Sequence, residues 1–419
     1  MDRPVERHQV LFLNPDLAGL FAAYLSHRAG AKVAVVDEVG RWRSVDKDGP
    51  AEFPASGTFC PWMVDTMATE AGFSPPIWQR IPLLQIHTPV GEVELNSDDG
   101  VGGLLIALGQ ACAHARSVLV SWLQEQVKKA KEYSSAKRPA PGALRQVETS
   151  VAEALMKLHL PEQDRVLLLL DTLSIVVLGR GVIQLDVRDF PRVVAGILAG
   201  WHAPAPGEGS WGEILAKRLK EEGARWHELE SVSAIQSFAK RRSVIRGSDG
   251  TLFAANILVV PESDRYRHPA APEAGGIIRW RTWRGRIPER AAGPPFVGVL
   301  RYDAKRPPVN DNFIGYHVRP EEGGRFAVCA PVEDRYLRHG TTERLAALTA
   351  RIQALLSRRL RWKIEEFSAP PGDPLGRIIT LPGSSTSVSY PEGPLWGDDV
   401  LARLKAADRL SRRVLGRLE

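Results

Sequence analysis

Residues 10–38 read VLFLNPDLAGLFAAYLSHRAGAKVAVVDE, and this stretch decides the fold. His8 to Leu13 is a short apolar run suited to a buried strand. From Leu17 to Ala29, the residues Leu17, Leu20, Phe21, Tyr24 and Leu25 recur at helical spacing and make one apolar face. Gly30 is placed to end that helix. Lys32 to Val36 is a second apolar strand, and it closes on Asp37 and Glu38. Strand, helix and strand in so short a span predict a βαβ unit with parallel strands.

The turn inside that unit carries the chemistry. A dinucleotide-binding turn uses three glycines: one for the tight bend, one to let a pyrophosphate reach the backbone, and one to pack helix on strand. Here the turn is Asn14-Pro15-Asp16-Leu17-Ala18-Gly19, and only the third glycine is present. Asn14 tolerates a positive φ, so the bend itself can persist. Asp16 stands where a diphosphate would lie. Two unit like charges ~4 Å apart at an effective dielectric of ~20 repel by about 4 kcal/mol, enough to offset much of the pull of a helix N-terminus. Aspartate is also a good helix N-cap, which suits a helix start that holds no anion.

The rest of the chain alternates in type. Residues 39–100 are rich in Pro and Gly, with short strands near Leu83–His87 and Glu92–Leu95. Leu104–Lys131 reads as one long helix, Lys128–Arg145 as a basic linker, and Val147–Leu158 and Arg165–Leu178 as helices. A second αβ block follows: helix Trp211–Glu222, a cap at Gly223 and a strand over Ala224–Val232. Then come two strands, Ala234–Ile245 and Leu252–Val260, joined at Gly247-Ser248-Asp249-Gly250. Thr342–Leu360 and Asp398–Leu418 close the chain as helices, with a strand at Gly376–Leu381 between them.

These segments resemble the flavin-dependent oxidoreductases of the phytoene-desaturase and amine-oxidase type. The opening carries the likeness, as do WGEILAKRLKEEGARWHELESVSAI (211–235), SVIRGSDGTLFAANILVVPES (243–263) and SYPEGPLWGDDVLARLKAADRLSRRVL (389–415), in that order. The resemblance implies an α/β Rossmann-like FAD/NAD(P)-binding fold, discontinuous over 1–75, 165–265 and 370–419, with an inserted α+β substrate-type domain over 76–164 and 266–369. It implies FAD as the cofactor. In that scheme Asn14, Asp16 and Gly19 form the phosphate turn, Asp37 holds the adenosine ribose and Val232 contacts adenine. Gly40 and Arg41 stand at a glycine-arginine motif, and Gly397 stands near the last helix. Asp398 and Asp399 add two carboxylates there. Acidic residues at two separate phosphate-facing places predict a flavin site that is lost or greatly changed. The expected function is a cofactor-impaired relative that binds an apolar ligand or a protein partner. The alternative is an active FAD-dependent oxidoreductase acting on an apolar substrate.

The 419 residues exceed one compact core. A composition of 44% hydrophobic and 25% charged residues excludes a disordered chain. Three separated cysteines, Cys60, Cys112 and Cys329, supply no disulfide framework, and Cys60 is expected to be inert. The apolar run Val166–Leu178 is too short to span a bilayer, and the mixed-charge MDRPVERHQ start does not read as a signal peptide. A cytoplasmic protein is expected, with peripheral membrane contact open through the basic last helix. That helix carries an apolar stripe of Leu401, Leu404, Leu410, Val414 and Leu418, expected to pack on the sheet.

IIRWRTWRGR (277–286) alternates arginine with tryptophan, but it reads as a solvated edge strand and no specific nucleic acid is expected. Trp62, Trp78, Trp122, Trp280 and Trp283 are candidates for an apolar pocket, although most tryptophans fill cores. The histidines, His202 and His227 among them, show no ligand spacing, so no metal is expected.

Overall fold

Strand β1 (Glu6–Leu13) lies parallel to β2 (Val33–Glu38), with Val10 level with Val33 and Leu13 with Val36. On its other side β1 runs parallel to β10 (Leu252–Glu262). The strands around Val10, Val35 and Val259 therefore share one sheet, as the βαβ reading requires. The computed structural model describes residues 5–38, 57–88, 91–135, 145–205, 211–238, 242–262, 266–267, 278–288, 296–301, 313–320, 322–333, 341–368, 379–380, 387–391 and 400–418.

The first sheet has the order β7 (Arg225–Leu229), β2, β1, β10, β9 (Arg242–Gly247), β8 (Val232–Phe238), and β18 (Ser387–Pro391) also pairs with β10. Its β7, β2, β1, β10 and β18 are mutually parallel, whereas β8, β9 and the start of β10 form an antiparallel meander. The expected strand Ala234–Ile245 is thus two strands, because the chain reverses between Phe238 and Arg242. Val10, Phe12, Val33, Val35, Ile257 and Val259 join one buried cluster, and Leu11, Leu13, Ala34, Val36, Leu258 and Val260 join another. That near-continuous apolar character is what a parallel sheet covered on both faces demands.

Helix α1 (Leu17–Arg28) packs against α8 (Trp211–Glu221) and against the last helix, α10 (Val400–Leu415). The stripe on α10 is buried at Leu404, Ala407, Leu410 and Val414, and Ser26 Oγ meets Ser411 Oγ at 3.2 Å. Its main partner is therefore a helix, α1, where the sheet itself was expected. Arg409, Arg412 and Arg413 remain on the exposed side.

A second sheet has the order β16 (Glu366–Ser368), β12 (Ile278–Arg286), β15 (Arg325–Glu333), β14 (Phe313–Pro320), β13 (Phe296–Arg301), β4 (Leu83–Thr88), β5 (Gly91–Asn96). The arginine–tryptophan strand β12 pairs on both sides, with β16 along its last three residues and β15 throughout, so it is not an edge strand. Trp283 is fully buried there and donates Nε1–H to Thr349 Oγ1 at 2.9 Å on α9 (Thr341–Leu360). Two short pairs, β3 (Trp78–Ile81) with β6 (Trp201–Pro204) and β11 (Tyr266–Arg267) with β17 (Ile379–Thr380), complete the strands described.

The remaining described helices are α2 (Pro61–Glu70), α3 (Gly100–Ala111), α4 (Arg116–Ser135), α5 (Val151–Met156), α6 (Gln163–Leu178) and α7 (Phe190–Ala199). The single long helix expected from Leu104 is broken, with a bend of 118° between its two halves. Cys112 leaves helical geometry at φ −127° and ψ 62°, and the two halves serve different partners, β5 for α3 and α7 for α4. The stretch read as a linker from Lys128 is helical as far as Ser135. Helices α6 and α7 pack together, and α6 also touches β4 of the second sheet, while α8 and β7–β10 belong with the first. The block 165–265 thus reaches both sheets. Among the described residues no single helix is long and apolar enough to cross a membrane.

Candidate functional site

The turn that joins β1 to α1 sits at the C-terminal edge of the parallel sheet, where open α/β folds place their ligands. Asn14 bends there with φ 46°, the positive value its side chain permits. Its N–H donates to Val36 O at 2.8 Å, and its Oδ1 accepts from Glu38 N at 2.7 Å. Asn14 Nδ2 in turn donates to Glu38 Oε2, and Val232 N–H donates to Glu38 Oε1. Glu38 is buried at the end of β2, and both of its carboxylate oxygens are engaged by protein donors.

Two expected site residues, Asn14 and Val232, are therefore brought together, with Glu38 between them. Asp37, the residue that sequence reasoning selected, is also buried. Strand alternation could have singled out Glu38, because it follows Ala34 and Val36 on the face that joins the cluster containing Val232.

Asp16 caps α1. Its Oδ1 accepts from Gly19 N at 2.8 Å, which satisfies one orphan donor of the helix start. The same oxygen accepts from Tyr390 Oη at 2.9 Å, and Oδ2 accepts from Arg403 Nη1 at 3.2 Å. Tyr390 comes from β18 and Arg403 from α10, so the C-terminal part of the chain reaches back over the first turn of α1. The carboxylate is 6% exposed and the guanidinium 11%, so this ion pair is largely withdrawn from water.

Gly19 is needed by this cluster. A Cβ built there would meet Tyr390 Oη at 2.1 Å and Pro15 Cβ at 2.8 Å. Its missing side chain admits the tyrosine hydroxyl to the helix start. Arg403 also offsets the repulsion expected from an isolated Asp16, so what crowds the turn is packed side chains rather than net negative charge. Sequence reading could not have paired Asp16 with Tyr390 and Arg403, which lie 374 and 387 positions further on. Gly40, Arg41, Gly397, Asp398 and Asp399 lie outside the described residues.

The aromatic candidates of the second region mostly serve packing. Trp62, Trp78 and Trp122 lie against the main core, and Trp78 Nε1 donates to Asp65 Oδ1 at 2.8 Å. The side chain of Trp280 lies outside the described residues. Cys60 and Cys112 are buried and in no disulfide, and burial pushes the Cys112 thiol up to about 11. His202 donates Nδ1–H to Gly200 O, 3.1 Å away, and burial lowers its pKa.

No family model and no curated protein matches this sequence. Among solved structures, an oxidoreductase from Methanosarcina mazei aligns with a TM-score of 0.55 at 14% identity, over 96% of this chain and 100% of that one. A RAB GDI from Plasmodium falciparum aligns with a TM-score of 0.53 at 10% identity, over 99% and 98%. A cyclohexylamine oxidase from Brevibacterium oxydans aligns over 98% and 99% at 13% identity, with a TM-score of 0.47. The likeness to the first two establishes the fold alone. This chain has a mixed α/β, Rossmann-like fold of the FAD/NAD(P)-binding type.

Proposed function

We propose that this protein is a cofactor-impaired member of the flavin-oxidoreductase fold that acts by binding a partner rather than by redox chemistry. One observation carries the reading: Tyr390 Oη occupies the space beside Gly19 and, with Arg403, holds Asp16 over the first turn of α1. A dinucleotide needs the free N–H groups and open backbone of that turn for its pyrophosphate. Here the Gly19 N–H is engaged by Asp16, and the approach is filled by side chains of the same chain. The ribose position fares similarly, since both oxygens of Glu38 are held by Asn14 and Val232. On this reading the packed turn leaves no room for the pyrophosphate of FAD.

The partner is proposed to be a protein, with an apolar small molecule as the other occupant for the second sheet's side. Two observations support a protein. Trp62, Trp78, Trp122 and Trp283, the described candidates for lining an apolar cavity, are taken up in packing. And the fold is shared by a chain named for RAB as well as by one named as an oxidoreductase.

The test is the flavin content of the purified full chain, read from its absorbance after denaturation to release any bound cofactor. Colourless protein with no released flavin is the expected result. Stoichiometric FAD would overturn the reading and restore an active oxidoreductase with an unusual phosphate site.

A further inference from the structure

The other end of β1 holds a cluster that the turn chemistry does not use. Glu6 and His8 stand at the start of β1 and His227 in the middle of β7. Their ligand atoms all lie within 4.8 Å of one another. Glu6 Oε2 is 3.6 Å from His8 Nε2 and 3.3 Å from His227 Nε2, and the two imidazole centroids are 5.2 Å apart. Phe253 flanks both rings, with centroids 4.7 Å from His227 and 6.1 Å from His8. We propose that Glu6, His8 and His227 form a site for a divalent transition metal of the zinc class, with two imidazoles, one carboxylate and an open position for water.

Three features support the assignment. First, the His8 side chain is only 4% exposed, yet its Nε2 is buried with no hydrogen-bond partner, and so is that of His227. A buried polar nitrogen without a hydrogen-bond partner is destabilising, and a bound ion would remove that penalty. Second, the separations suit a small ion. Zinc–nitrogen bonds of about 2.0–2.1 Å in a tetrahedron set neighbouring ligand atoms roughly 3.3 Å apart. The two carboxylate–imidazole distances already match, and the two histidine ligand atoms need to close by no more than about 1.5 Å.

Third, two imidazoles with a carboxylate select zinc-like ions over magnesium or calcium, which take oxygen donors. Glu6, 46% exposed, leaves the site open to solvent on one side. Sequence spacing hid the site because β7 reaches β1 only through the fold.

The experiment uses the full chain after removal of metal by chelator and dialysis. Zn²⁺ is titrated calorimetrically, and Co²⁺ is titrated in parallel for its visible ligand-field bands. One ion per chain is expected, with the band intensity of a four-coordinate site. His227→Ala and His8→Ala should each abolish saturable binding, and His159→Ala, at an exposed histidine, should leave it unchanged. Glu6→Gln removes only an exposed carboxylate, so it keeps the fold, and it should weaken Zn²⁺ by about tenfold or more, the scale seen for metal-site partners. Should the histidine variants fail to fold, Glu6→Gln decides alone. Wild-type protein that takes up no stoichiometric Zn²⁺, or Glu6→Gln that binds as tightly as wild type, would overturn the assignment.

Discussion

The two ends of β1 contrast sharply. At its C-terminal end the chain passes through Asn14, Asp16 and Gly19, where this fold receives anionic ligands, and there the polar groups described find partners within the protein. At its N-terminal end, where the fold assigns no ligand, Glu6, His8 and His227 face one another, and the Nε2 atoms of both imidazoles have no hydrogen-bond partner. The lesson is that a fold tells where to look, whereas hydrogen-bond accounting tells what the place can hold. A filled site needs no ligand, and orphaned buried donors invite one.

The largest effect should come from cutting the filled end. Asp16→Ala removes the cap of α1 and the acceptor for Tyr390, and it leaves Arg403 buried beside no carboxylate. Breaking such a pair by removing one partner costs about 3–5 kcal/mol. Urea denaturation of the variant should show that loss. A change below about 1 kcal/mol, the value of a surface pair, would mean the cluster does not hold the C-terminal part of the chain against α1.

Tyr390→Phe sharpens the same point with a smaller change. It keeps the ring and deletes only the hydroxyl that reaches Asp16, so about 1–3 kcal/mol should be lost at most. Gly19→Ala should cost more than Tyr390→Phe, because its methyl group collides with the tyrosine oxygen at 2.1 Å. Equal or reversed costs for these two variants would contradict the packing described.

At the other end, pH should act where it barely touches the turn. The His8 and His227 pKa values are lowered, first by burial, with each other, Glu6 and Arg225 as the charged neighbours. The unfolded histidines therefore take up protons first as pH falls below about 6.5, so stability declines through that range and is fully present above it. In chelator, the decline from pH 7.5 to 5.5 should be shallower in the His8→Phe, His227→Phe double variant. An unchanged slope would place the acid sensitivity elsewhere.

How much was legible depended on the range of the contacts. The βαβ start was legible because its signal, two apolar strands around an apolar helix face, is local in sequence, even though the cluster that buries Val10, Phe12, Val33 and Val35 also draws on Ile257, Val259 and Val414. The positive φ of Asn14 and the capping by Asp16 were equally local and equally visible. The break at Cys112 was not, since nothing nearby in sequence interrupts the helical pattern and the bend answers to β5 and α7. The partners of Asp16 and the His8–His227 pair were invisible for the same reason: each joins positions hundreds of residues apart, which only the strand order and the last helix bring together. Glu38 was within reach, but choosing it over Asp37 required the face of β2 to be known.

The most direct test of the filled turn is a calorimetric titration of FAD into wild-type protein and into a folded Asp16→Gly, Tyr390→Ala double variant that retains Arg403. The double variant empties the approach to α1 and leaves a cation where a pyrophosphate would lie. No saturable heat is expected from the wild type, and measurable binding is expected from the variant. Tight FAD binding by the wild type would contradict the filled turn outright, and absence of binding by both would show that Tyr390 and Asp16 are not what closes the cleft.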